Sequence, residues 1–438
     1  MDTTINEVLK FVKDNDVKFV RLHFCDLFGK QKCISIIADE LPSAFKHGIS
    51  FDAHAIKGFR DVVESDLFLH PDPTSLEVLP WRPGPGKVVR LYCDIKKPDG
   101  ELYEHDSRVI LQKVVERSDK MGLSCKVGAE CEFYLFKTDE YGEPTDLTLD
   151  NGGYLDIAPL DRCGDIRREI CLTLEGMGIK PQTSHHEQGP GQNEIDFKFD
   201  DALRSADNLQ TFKSVVKTIA SRNGLFASFM PKPIPGKPGN GMHVNLSISI
   251  NGSNIFKDIG EGSSVIAESF IAGILEKAVE ITAFLNPLTN SYERLGNCDA
   301  PKYISWSHQN RSQLIRIPAA TGEKTRMELR SPDPAINPYL AFALIISAGL
   351  DGIEKKLSLP PAVDADLYTD ETVTKTLTPL PDSLEKALTI AKDSAFVKSV
   401  VGEELLQKYI SIKEAEINEY NSAKDKTVFD KEKYFTKI

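Results

Sequence analysis

Apolar and polar residues alternate along several short stretches of the chain, with a period of two that predicts β-strands. The clearest of these stretches is "VGAECEFYLF", residues 127–136. Its alternation places Glu130 and Glu132 on one face of the predicted strand. The opposite face carries Val127, Ala129, Cys131, Phe133 and Leu135. Two carboxylates are therefore neighbours on a strand whose other face is apolar enough to pack in a hydrophobic core.

Three further predicted strands have the same pattern, "NEIDFKF", "HVNLSISI" and "RMELR". One polar face of this kind usually meets water, as in half-exposed antiparallel sheets. These strands lie between long amphipathic helices, however, and a sheet covered by helices has both faces shielded. If the polar faces point inward together, they form an acidic cluster with one imidazole. Its members would be Glu130, Glu132, Glu194, His243 and Glu328.

Helical periodicity predicts the elements between the strands. The predicted helices cover residues 3–14, 108–121, 165–177, 208–223 and 264–285, a segment from Tyr339, and most of the tail from Asp382. Strands and helices that follow one another in turn favour an α/β layer or barrel. The polar turn "KKPDGELYEHD" predicts a boundary near residues 103–106 and hence domains over residues 1–104 and 105–438.

Composition and charge narrow the class of protein. The 438 residues are 41% hydrophobic and 27% charged, which is ordinary for a globular fold. The formal charge of −12 disfavours a broad nucleic-acid or anionic-membrane surface. Eight cysteines without a CxxC pair, and a first segment without the features of a secretion signal, predict a reducing, cytoplasmic setting. The longest apolar run, residues 338–353, suits a buried helix and is too short to span a membrane.

The acidic cluster predicts a metal site, because buried carboxylates repel one another and need cations to hold them. Oxygen ligands with a single nitrogen suit Mg²⁺ or Mn²⁺, and two such ions would balance most of the charge. The segment "TSHHEQGPGQNEIDF" adds Glu187, seven residues before Glu194 across a Gly-Pro-Gly turn. We interpret His185 and His186 in this segment as structural and leave them out of the metal set.

A dense series of arginines follows in the segment 290–330. Its members are Arg294, Arg311, Arg316, Arg326 and Arg330. Guanidinium groups bind carboxylates and phosphates with paired hydrogen bonds, so the series beside a metal pair predicts phosphoryl transfer. The glycine-rich stretch "PKPIPGKPGNGMH" is neither a Walker loop nor a dinucleotide fingerprint, and is interpreted either as a bare turn or as a loop close to a small substrate.

Paired carboxylates also raise the alternative of a glycosidase. Glu130 and Glu132 are neighbours on one strand face, whereas a glycosidase needs its two carboxyl groups on either side of the scissile bond. The chain also has only two tryptophans on which a sugar could stack. We therefore discard this alternative.

Together with several longer motifs, these residues resemble the glutamine synthetase family, type I, in its shorter bacterial and archaeal form. The resemblance covers nearly the whole chain and is carried by "FDAHAIKGFRDVVESDLFLHPD", "GAECEFYLF", "SHHEQGPGQNEID", "GNGMHVNLS", "NPLTNSYERL", "NRSQLIRIPAA" and "RMELRSPDPAINPYLAFA". It implies an α+β fold: a β-grasp N-terminal domain and a catalytic domain whose antiparallel sheet curves into a partial barrel, flanked by helices. It also implies a dodecamer of two stacked hexameric rings, with active sites between neighbouring subunits.

The resemblance also implies roles for individual residues. One metal ion would have the ligands Glu132, Glu187 and Glu194, and the other Glu130, His243 and Glu328. Gly239 and Arg294 match positions that hold the substrate glutamate, with Arg330 near its reacting end. Around ATP, Arg311 and Arg316 match phosphate contacts, with Arg311 also a catalytic candidate, and Arg326 and Ser247 match nucleotide contacts. Asp52 matches the residue that binds and deprotonates ammonium in a neighbouring subunit, and Asp299 stands in place of the flap glutamate that closes the site.

The reaction so implied has two steps. Glutamate takes the γ-phosphoryl group of ATP, and an amine then displaces phosphate from the acyl phosphate. All six metal-ligand positions are present, which disfavours a non-catalytic member of the family. Tyr368 resembles a position that some members adenylylate, and we interpret it as an ordinary exposed tyrosine.

The chain departs from the family pattern at three loops near the substrate. The flap reads "RLGNCDAP" where the family has "RLVPGYEAP", and Pro238 replaces an asparagine that contacts glutamate. The loop "FDAHA" stands where the family has "FDGSS", which places His54 and Ala55 beside Asp52. Relatives that make γ-glutamyl amides from methylamine, ethanolamine or putrescine vary at the same loops. We predict ammonia as the acceptor, with an organic amine as the alternative.

Overall fold

The N-terminal part of the chain forms a mixed β-sheet with two helices. The structure is a computed structural model that describes residues 4–81, 86–257, 265–297 and 300–438. The elements of this part are α1 (Ile5–Asp14), β1 (Val17–Cys25), β2 (Gln31–Ile37), α2 (Leu41–His47), β3 (Ile49–Asp52), β4 (Asp66–Pro71), β5 (Glu77–Val78) and β6 (Lys87–Lys96). The strand order is β2-β1-β6-β4-β3, with β5 on β6, and only the pair β1/β6 is parallel. This is the β-grasp arrangement that the resemblance implied.

Helix α1 shows how local sequence sets these elements. Thr4 accepts a hydrogen bond from the Glu7 backbone, and the Glu7 carboxylate accepts one from the Thr4 backbone, so a capping box begins the helix. Its apolar side buries Val8 and Val12 against the sheet. The predicted helix over residues 3–14 is thus confirmed over Ile5–Asp14.

The second part of the chain is built on a longer sheet. Its first elements are α3 (Ser107–Lys120), β7 (Leu123–Thr138), β8 (Pro144–Thr148), α4 (Gly164–Gly176), β9 (Pro181–His186), β10 (Gln192–Phe197), β11 (Asp200–Asp201), α5 (Ala202–Arg222), β12 (Leu225–Ser228), β13 (Met242–Ile250) and β14 (Ser253–Asn254). They are followed by α6 (Val265–Leu285), β15 (Trp306–His308), β16 (Ile315–Ile317), β17 (Met327–Leu329), α7 (Pro338–Lys355), α8 (Glu371–Thr374), α9 (Leu384–Asp393), α10 (Ala395–Val401), α11 (Glu403–Ser422) and α12 (Lys426–Asp430).

Strand β7 is the centre of this sheet. The order is β15-β16-β17-β13-β7-β10-β9, and β7 pairs antiparallel with both β13 and β10. The α/β layer favoured by the alternation of elements is therefore wrong, and the antiparallel sheet implied by the resemblance is confirmed. Alternation along the chain does not determine strand direction, because a helix can also connect strands that return antiparallel.

The apolar face of β7 lies on the main core. Val127, Ala129, Cys131, Phe133 and Leu135 are all buried there, as the alternation predicted. The Phe133 ring packs against Phe212 of α5 and against Phe229, with ring centroids 6.1 Å and 5.7 Å apart. Glu130 and Glu132 alternate with these residues along β7, so their carboxylates point to the other side of the sheet. In the described residues, no helix is both long enough and apolar enough to cross a membrane.

Helices α6 and α7 pack closely through glycines. A Cβ atom on Gly273 would lie 2.2 Å from the Ala348 carbonyl oxygen and 2.8 Å from the Gly352 Cα. We therefore expect Gly273→Ala to destabilise the fold by about 1–3 kcal/mol, because the two backbones must separate. Thermal and urea unfolding measure the effect. Gly176→Ala, at a helical position with open space around it, is the matched control and should be neutral or stabilising. Equal stability of the two variants would contradict the close packing.

Candidate active site

The polar faces of β7, β10 and β13 line one cavity of about 340 Å³, which we call the acidic cavity. Antiparallel pairing sets Glu130 opposite His243 and Glu132 opposite Glu194. Residues directly opposite each other in a sheet point to the same side, so the register alone brings these groups together. The lining residues are Glu130, Glu132, Tyr154, His185, Glu187, Gln188, Gln192, Glu194, Asp196, Pro238, Gly239, Gly241, His243, Arg294, Arg311, Arg316, Arg326 and Arg330.

Glu130, Glu194 and His243 form one candidate metal group, with ligand atoms within 4.8 Å of one another. His243 Nδ1 lies 3.3 Å from Glu130 Oε2, and Asn245 donates a 2.8 Å hydrogen bond to Glu130 Oε1. Burial opposes ionisation of Glu130, but these hydrogen bonds and the charges of His243 and Arg326 outweigh it and hold its pKa at about 2. Glu130 is therefore ionised at neutral pH, as a metal ligand must be.

His185, Glu187 and Glu194 form a second candidate metal group, again with ligand atoms within 4.8 Å of one another. Glu194 belongs to both groups, so two ions bound there would share it. Glu132 lies outside these two groups, and its Oε2 accepts hydrogen bonds of 2.9 Å from Gln192 and 2.8 Å from the Gly241 backbone. The division of ligands between two ions implied by the resemblance stays a prediction.

Buried negative charge is in excess on this side of the cavity. Burial, followed by the charge of Glu187, raises the pKa of Glu132 to about 8. Burial and the neighbouring Asp196 and Glu132 raise the pKa of Glu194 well above its usual range. Carboxylates that are costly to ionise by themselves become favourable ligands beside a divalent cation. The donor set, mostly oxygen with imidazole nitrogen, fits Mg²⁺ or Mn²⁺.

His185 lies in the second candidate metal group, which the adjacent pair His185 and His186 did not by itself indicate. Its Nε2 atom lies 3.0 Å from Glu187 Oε1 and 3.6 Å from Glu194 Oε1. His185 lies opposite Glu194 in the β9/β10 pairing, and it is two residues before Glu187, on the same side of the chain. The spacing of two between His185 and Glu187 indicates that both side chains share a face, so the sequence interpretation of both histidines as structural missed this signal.

We expect His185→Gln to weaken Mn²⁺ binding by about 10- to 100-fold, because the imidazole either binds the ion or orients Glu187. Calorimetric titration of the metal-free protein with Mn²⁺ measures this. The matched control is His47→Gln, at an exposed position in the last turn of α2. Mn²⁺ affinity equal to that of the control would show that His185 has no part in the metal site.

His186 belongs to a buried group beside the site. Its Nε2 lies 2.9 Å from Asp150 Oδ1, and its Nδ1 lies 2.6 Å from the Glu187 carbonyl oxygen. Asp161 is paired with Arg167, and Asp150 also accepts a hydrogen bond from the Arg162 backbone. Asp150, Asp161, Cys163 and His186 lie close enough to suggest a metal group, but these bonds satisfy the charged members from within. The group holds the turn that presents Glu187, so His186 is structural, as we interpreted it from the sequence.

Arginines form the opposite side of the acidic cavity. Arg316 and Arg330 each donate to one carboxylate oxygen of Glu328, which is fully buried. Glu328 Oε1 also lies 3.7 Å from His243 Nδ1, so the arginine side and the metal side meet at this residue. Arg326 Nε donates a 2.8 Å hydrogen bond to Asn245. Arg311 lines the cavity but is an exposed residue, available to an anion that enters.

The glycine-rich loop lies against Arg294. A Cβ atom on Gly239 would lie 2.5 Å from the Pro231 carbonyl oxygen and 3.1 Å from Arg294 Cγ, so only glycine fits. Arg294 is buried and donates to the carbonyl oxygens of Ser331, at 2.8 Å, and Arg330, at 3.1 Å. The loop is therefore a wall of the cavity, where its backbone can lie close to a small substrate.

The remaining candidates lie elsewhere. Asp52 is exposed at the end of β3, and among the described residues it does not line the acidic cavity of its own chain. Ser247 is on β13, four residues beyond His243, on the same face of the strand and outside the lining set. Asp299 lies outside the described residues. Tyr368 is 43% exposed. The roles of all four stay predictions.

Comparison with known proteins matches both parts of the chain. Residues 16–98 match the glutamine synthetase β-grasp domain, and residues 104–432 match the glutamine synthetase catalytic domain. Proteins named glutamine synthetase from Methanosarcina mazei, Clostridium saccharobutylicum and Staphylococcus aureus are 46%, 45% and 43% identical. Each alignment covers 96% of this chain and 95% or 96% of the relative.

Solved structures show the same fold. A GmaS/ADP complex has a TM-score of 0.87 at 32% identity, over 95% of this chain and 97% of that one. Apo GmaS without ligand has a TM-score of 0.88 at 32% identity, over 98% and 99%. The β-grasp domain and the catalytic domain that follows it, with its candidate metal groups, identify the protein as a ligase. The chain belongs to the glutamine synthetase family.

Proposed function

We propose that this protein joins ammonia to the γ-carboxylate of L-glutamate at the expense of ATP, giving L-glutamine, ADP and phosphate. The observation that carries the proposal is the arrangement of the acidic cavity, in which carboxylates and two histidines face a set of arginines. The carboxylate side suits divalent cations, and the arginine side suits phosphate and carboxylate groups. ATP with its metal ions, and a dicarboxylic amino acid, need both sides.

Glu130, Glu132, Glu187, Glu194, His243 and Glu328 would hold two Mg²⁺ or Mn²⁺ ions, with His185 as an added candidate. Bound there, the ions would neutralise the phosphates of ATP and polarise the γ-phosphoryl group. The raised pKa values of Glu132 and Glu194 support this, because burial and neighbouring carboxylates make the ionised forms costly and a bound cation would favour them.

The first step forms a bond between a glutamate γ-carboxylate oxygen and the γ-phosphorus, and it breaks the bond from that phosphorus to the β-phosphate oxygen. Arg294 and the Gly239 backbone would position glutamate, and Arg330 would lie near its reacting γ-carboxylate. Arg311 and Arg316 would neutralise the charge that spreads over the phosphoryl oxygens, with Arg326 and Ser247 toward the nucleotide. The ADP complex of the GmaS structure supports nucleotide binding in this fold.

The second step forms the amide bond and releases phosphate. Asp52 of a neighbouring copy would bind ammonium and remove its proton, and Asp299 would close the site. Exposure of Asp52 on its own chain supports a role across a subunit boundary. We therefore propose that the working form is a homo-oligomer, a dodecamer. We also propose that the protein acts in the cytoplasm and that its two domains meet at residues 104 and 105.

An organic amine is the second candidate acceptor, and two observations leave it open. The solved structures reported above are of GmaS rather than of proteins named glutamine synthetase. Pro238, one of the departures from the family pattern, lines the acidic cavity, and its carbonyl oxygen accepts a 2.7 Å hydrogen bond from Tyr134. Methylamine, ethanolamine and putrescine are the acceptors to compare with ammonia.

We expect ammonium to support the fastest phosphate release from ATP and glutamate. The assay compares ammonium with the three amines at equal concentrations of the unprotonated form, with Mg²⁺ or Mn²⁺. Glu194→Gln measures the background. Faster turnover with an organic amine would reject ammonia as the acceptor and assign the enzyme as a γ-glutamyl amide ligase. Phosphate release that does not depend on glutamate would reject both assignments.

A further inference from the structure

A second cavity, of about 430 Å³, lies between the N-terminal sheet and helix α5. Arg21 and His23 of β1 and Arg90 of β6 form one wall. Thr211 and Arg222 of α5 belong to the opposite wall. Among the described residues, no side chain lines both this cavity and the acidic cavity. We call it the arginine cavity.

The arginine cavity holds an excess of positive charge. Arg21 and Arg90 are direct partners in the parallel pairing of β1 and β6, so two guanidinium groups lie side by side on one face. Like charges at opposed positions of a sheet repel each other. Within the described part of the chain no carboxylate lines the cavity. Glu77 lies opposite Arg90 across β5 and β6 and offsets part of its charge, but the Oε1 atom of Glu77 is paired with Arg204 at 2.5 Å.

Two buried nitrogen atoms in the wall have no hydrogen-bond partner. Arg90 is 3% exposed; its Nη2 donates a 3.1 Å hydrogen bond to Thr211 Oγ1, whereas its Nη1 has no partner. His23 Nδ1 is also buried without a partner. Burial, followed by the charges of Arg90 and Arg21, lowers the pKa of His23 to about 3, so its ring is neutral. Buried polar groups in native proteins are nearly always paired, and these two belong to the walls of one cavity.

We propose that the arginine cavity is a binding site for a small anion that carries phosphate or carboxylate groups. Arg21, Arg90 and Arg222 supply the charge, and guanidinium groups recognise both kinds of oxyanion through paired hydrogen bonds. Gln31, Ser214 and Thr218 add neutral polar groups to the lining. The volume lies within the range of small-molecule sites and exceeds what a single water needs.

The cavity also connects the two parts of the chain. The N-terminal sheet supplies one wall and α5 the other, so a bound anion bridges them. Ser205, on the same helix, donates a 2.6 Å hydrogen bond to the Val127 carbonyl oxygen of β7, the strand that carries Glu130 and Glu132. An anion in the arginine cavity would therefore contact helix α5, which is hydrogen-bonded to the strand that carries Glu130 and Glu132.

The test locates the anion directly. Crystals of the full-length protein are soaked in tungstate, a heavy analogue of phosphate, and anomalous density identifies its positions. Calorimetry then measures the affinity for inorganic phosphate and for succinate, which separates phosphate-bearing from dicarboxylate ligands. The variants are Arg21→Gln, at a partly exposed position, and Arg90→Met, with Lys113→Gln, at an exposed position on α3, as the charge-matched control. Arg21→Gln keeps the test decisive if the more buried Arg90→Met does not fold.

We expect tungstate between Arg21, Arg90 and His23, and an affinity for phosphate or succinate at this site that falls at least about tenfold in Arg21→Gln, the effect of losing one good charged contact. Lys113→Gln should bind as the unaltered protein does. Density confined to the acidic cavity would overturn the proposal. So would density in the arginine cavity that is equally strong in Arg21→Gln, since it would mark an adventitious ion only.

Discussion

Glu194→Gln is expected to lower metal-dependent phosphate release by at least about 100-fold, because Glu194 belongs to both candidate metal groups. The substitution keeps the shape of the side chain and removes its negative charge. The same change should make the metal-free protein more stable, since Glu194 is buried among Glu130, Glu132, Glu187 and Asp196. We expect its unfolding midpoint to rise by at least about 2 °C. Activity would thus fall while stability rises.

The pH dependence of stability tests the same charges. Burial and Glu187 raise the pKa of Glu132 to about 8 from a reference value of 4.5, so the folded state favours the protonated acid. In the metal-free protein, the stability contributed by Glu132 is full below pH 4.5 and is lost as the pH rises through 8. Saturating Mg²⁺ or Mn²⁺ should remove this loss, because the ion favours the ionised form.

Calorimetry of the metal-free and metal-saturated protein between pH 5 and 9 measures both effects. Glu175→Gln, at an exposed position on α4, is the matched control and should alter neither activity nor stability. A metal-free Glu194→Gln protein that unfolds at a lower temperature than the control would contradict the repulsion. Retained metal-dependent activity would remove Glu194 from the ligand set.

Arg311→Gln should reduce kcat by about 100- to 1000-fold, the usual cost of removing one preorganised donor from a site of charge development. Arg311 lines the acidic cavity as an exposed residue, whereas Arg316 and Arg330 are engaged with Glu328. Arg330 donates to the backbone oxygen of Arg311, not to its side chain, so that 3.0 Å hydrogen bond survives the substitution. The unfolding temperature should therefore change little.

Steady-state kinetics with ATP varied at saturating glutamate and ammonium separates kcat from KM. A loss in kcat with an unchanged KM for ATP indicates a contact made in the transition state. Arg117→Gln is the control: its partners are Asp351 and Glu354 on the surface, and such pairs contribute little. If kcat is unchanged and only KM rises, Arg311 binds ATP without assisting the transfer.

Much of the site was already present in the strand pattern. A period of two requires Glu130 and Glu132 to share a face opposite Phe133, whatever the rest of the chain does. The same rule applied to "NEIDFKF" and "RMELR" predicted Glu194 and Glu328 as partners. The family motifs then supplied the β-grasp domain, the antiparallel sheet and a role for each residue. The shared strand faces are local properties, and local sequence determines them, whereas the domain folds came from the resemblance.

Other features depended on contacts between distant segments. The antiparallel order around β7 was not available from the alternation of elements, because the direction of a strand is decided by where its connection returns. His185 reaches Glu194 only through the pairing of β9 with β10. Arg21 and Arg90 become neighbours only when β1 and β6 pair, across a separation of 69 positions.

The sequence by itself determined which residues share a strand face, the family, and the chemical character of the site. The tertiary structure decided which of those faces meet, which carboxylates carry uncompensated charge, and that a second, basic cavity lies beside α5. The physical reason is the range of the interactions: side-chain periodicity acts between neighbours in the chain. Burial, charge repulsion and hydrogen-bond pairing act between groups that only the folded chain brings together.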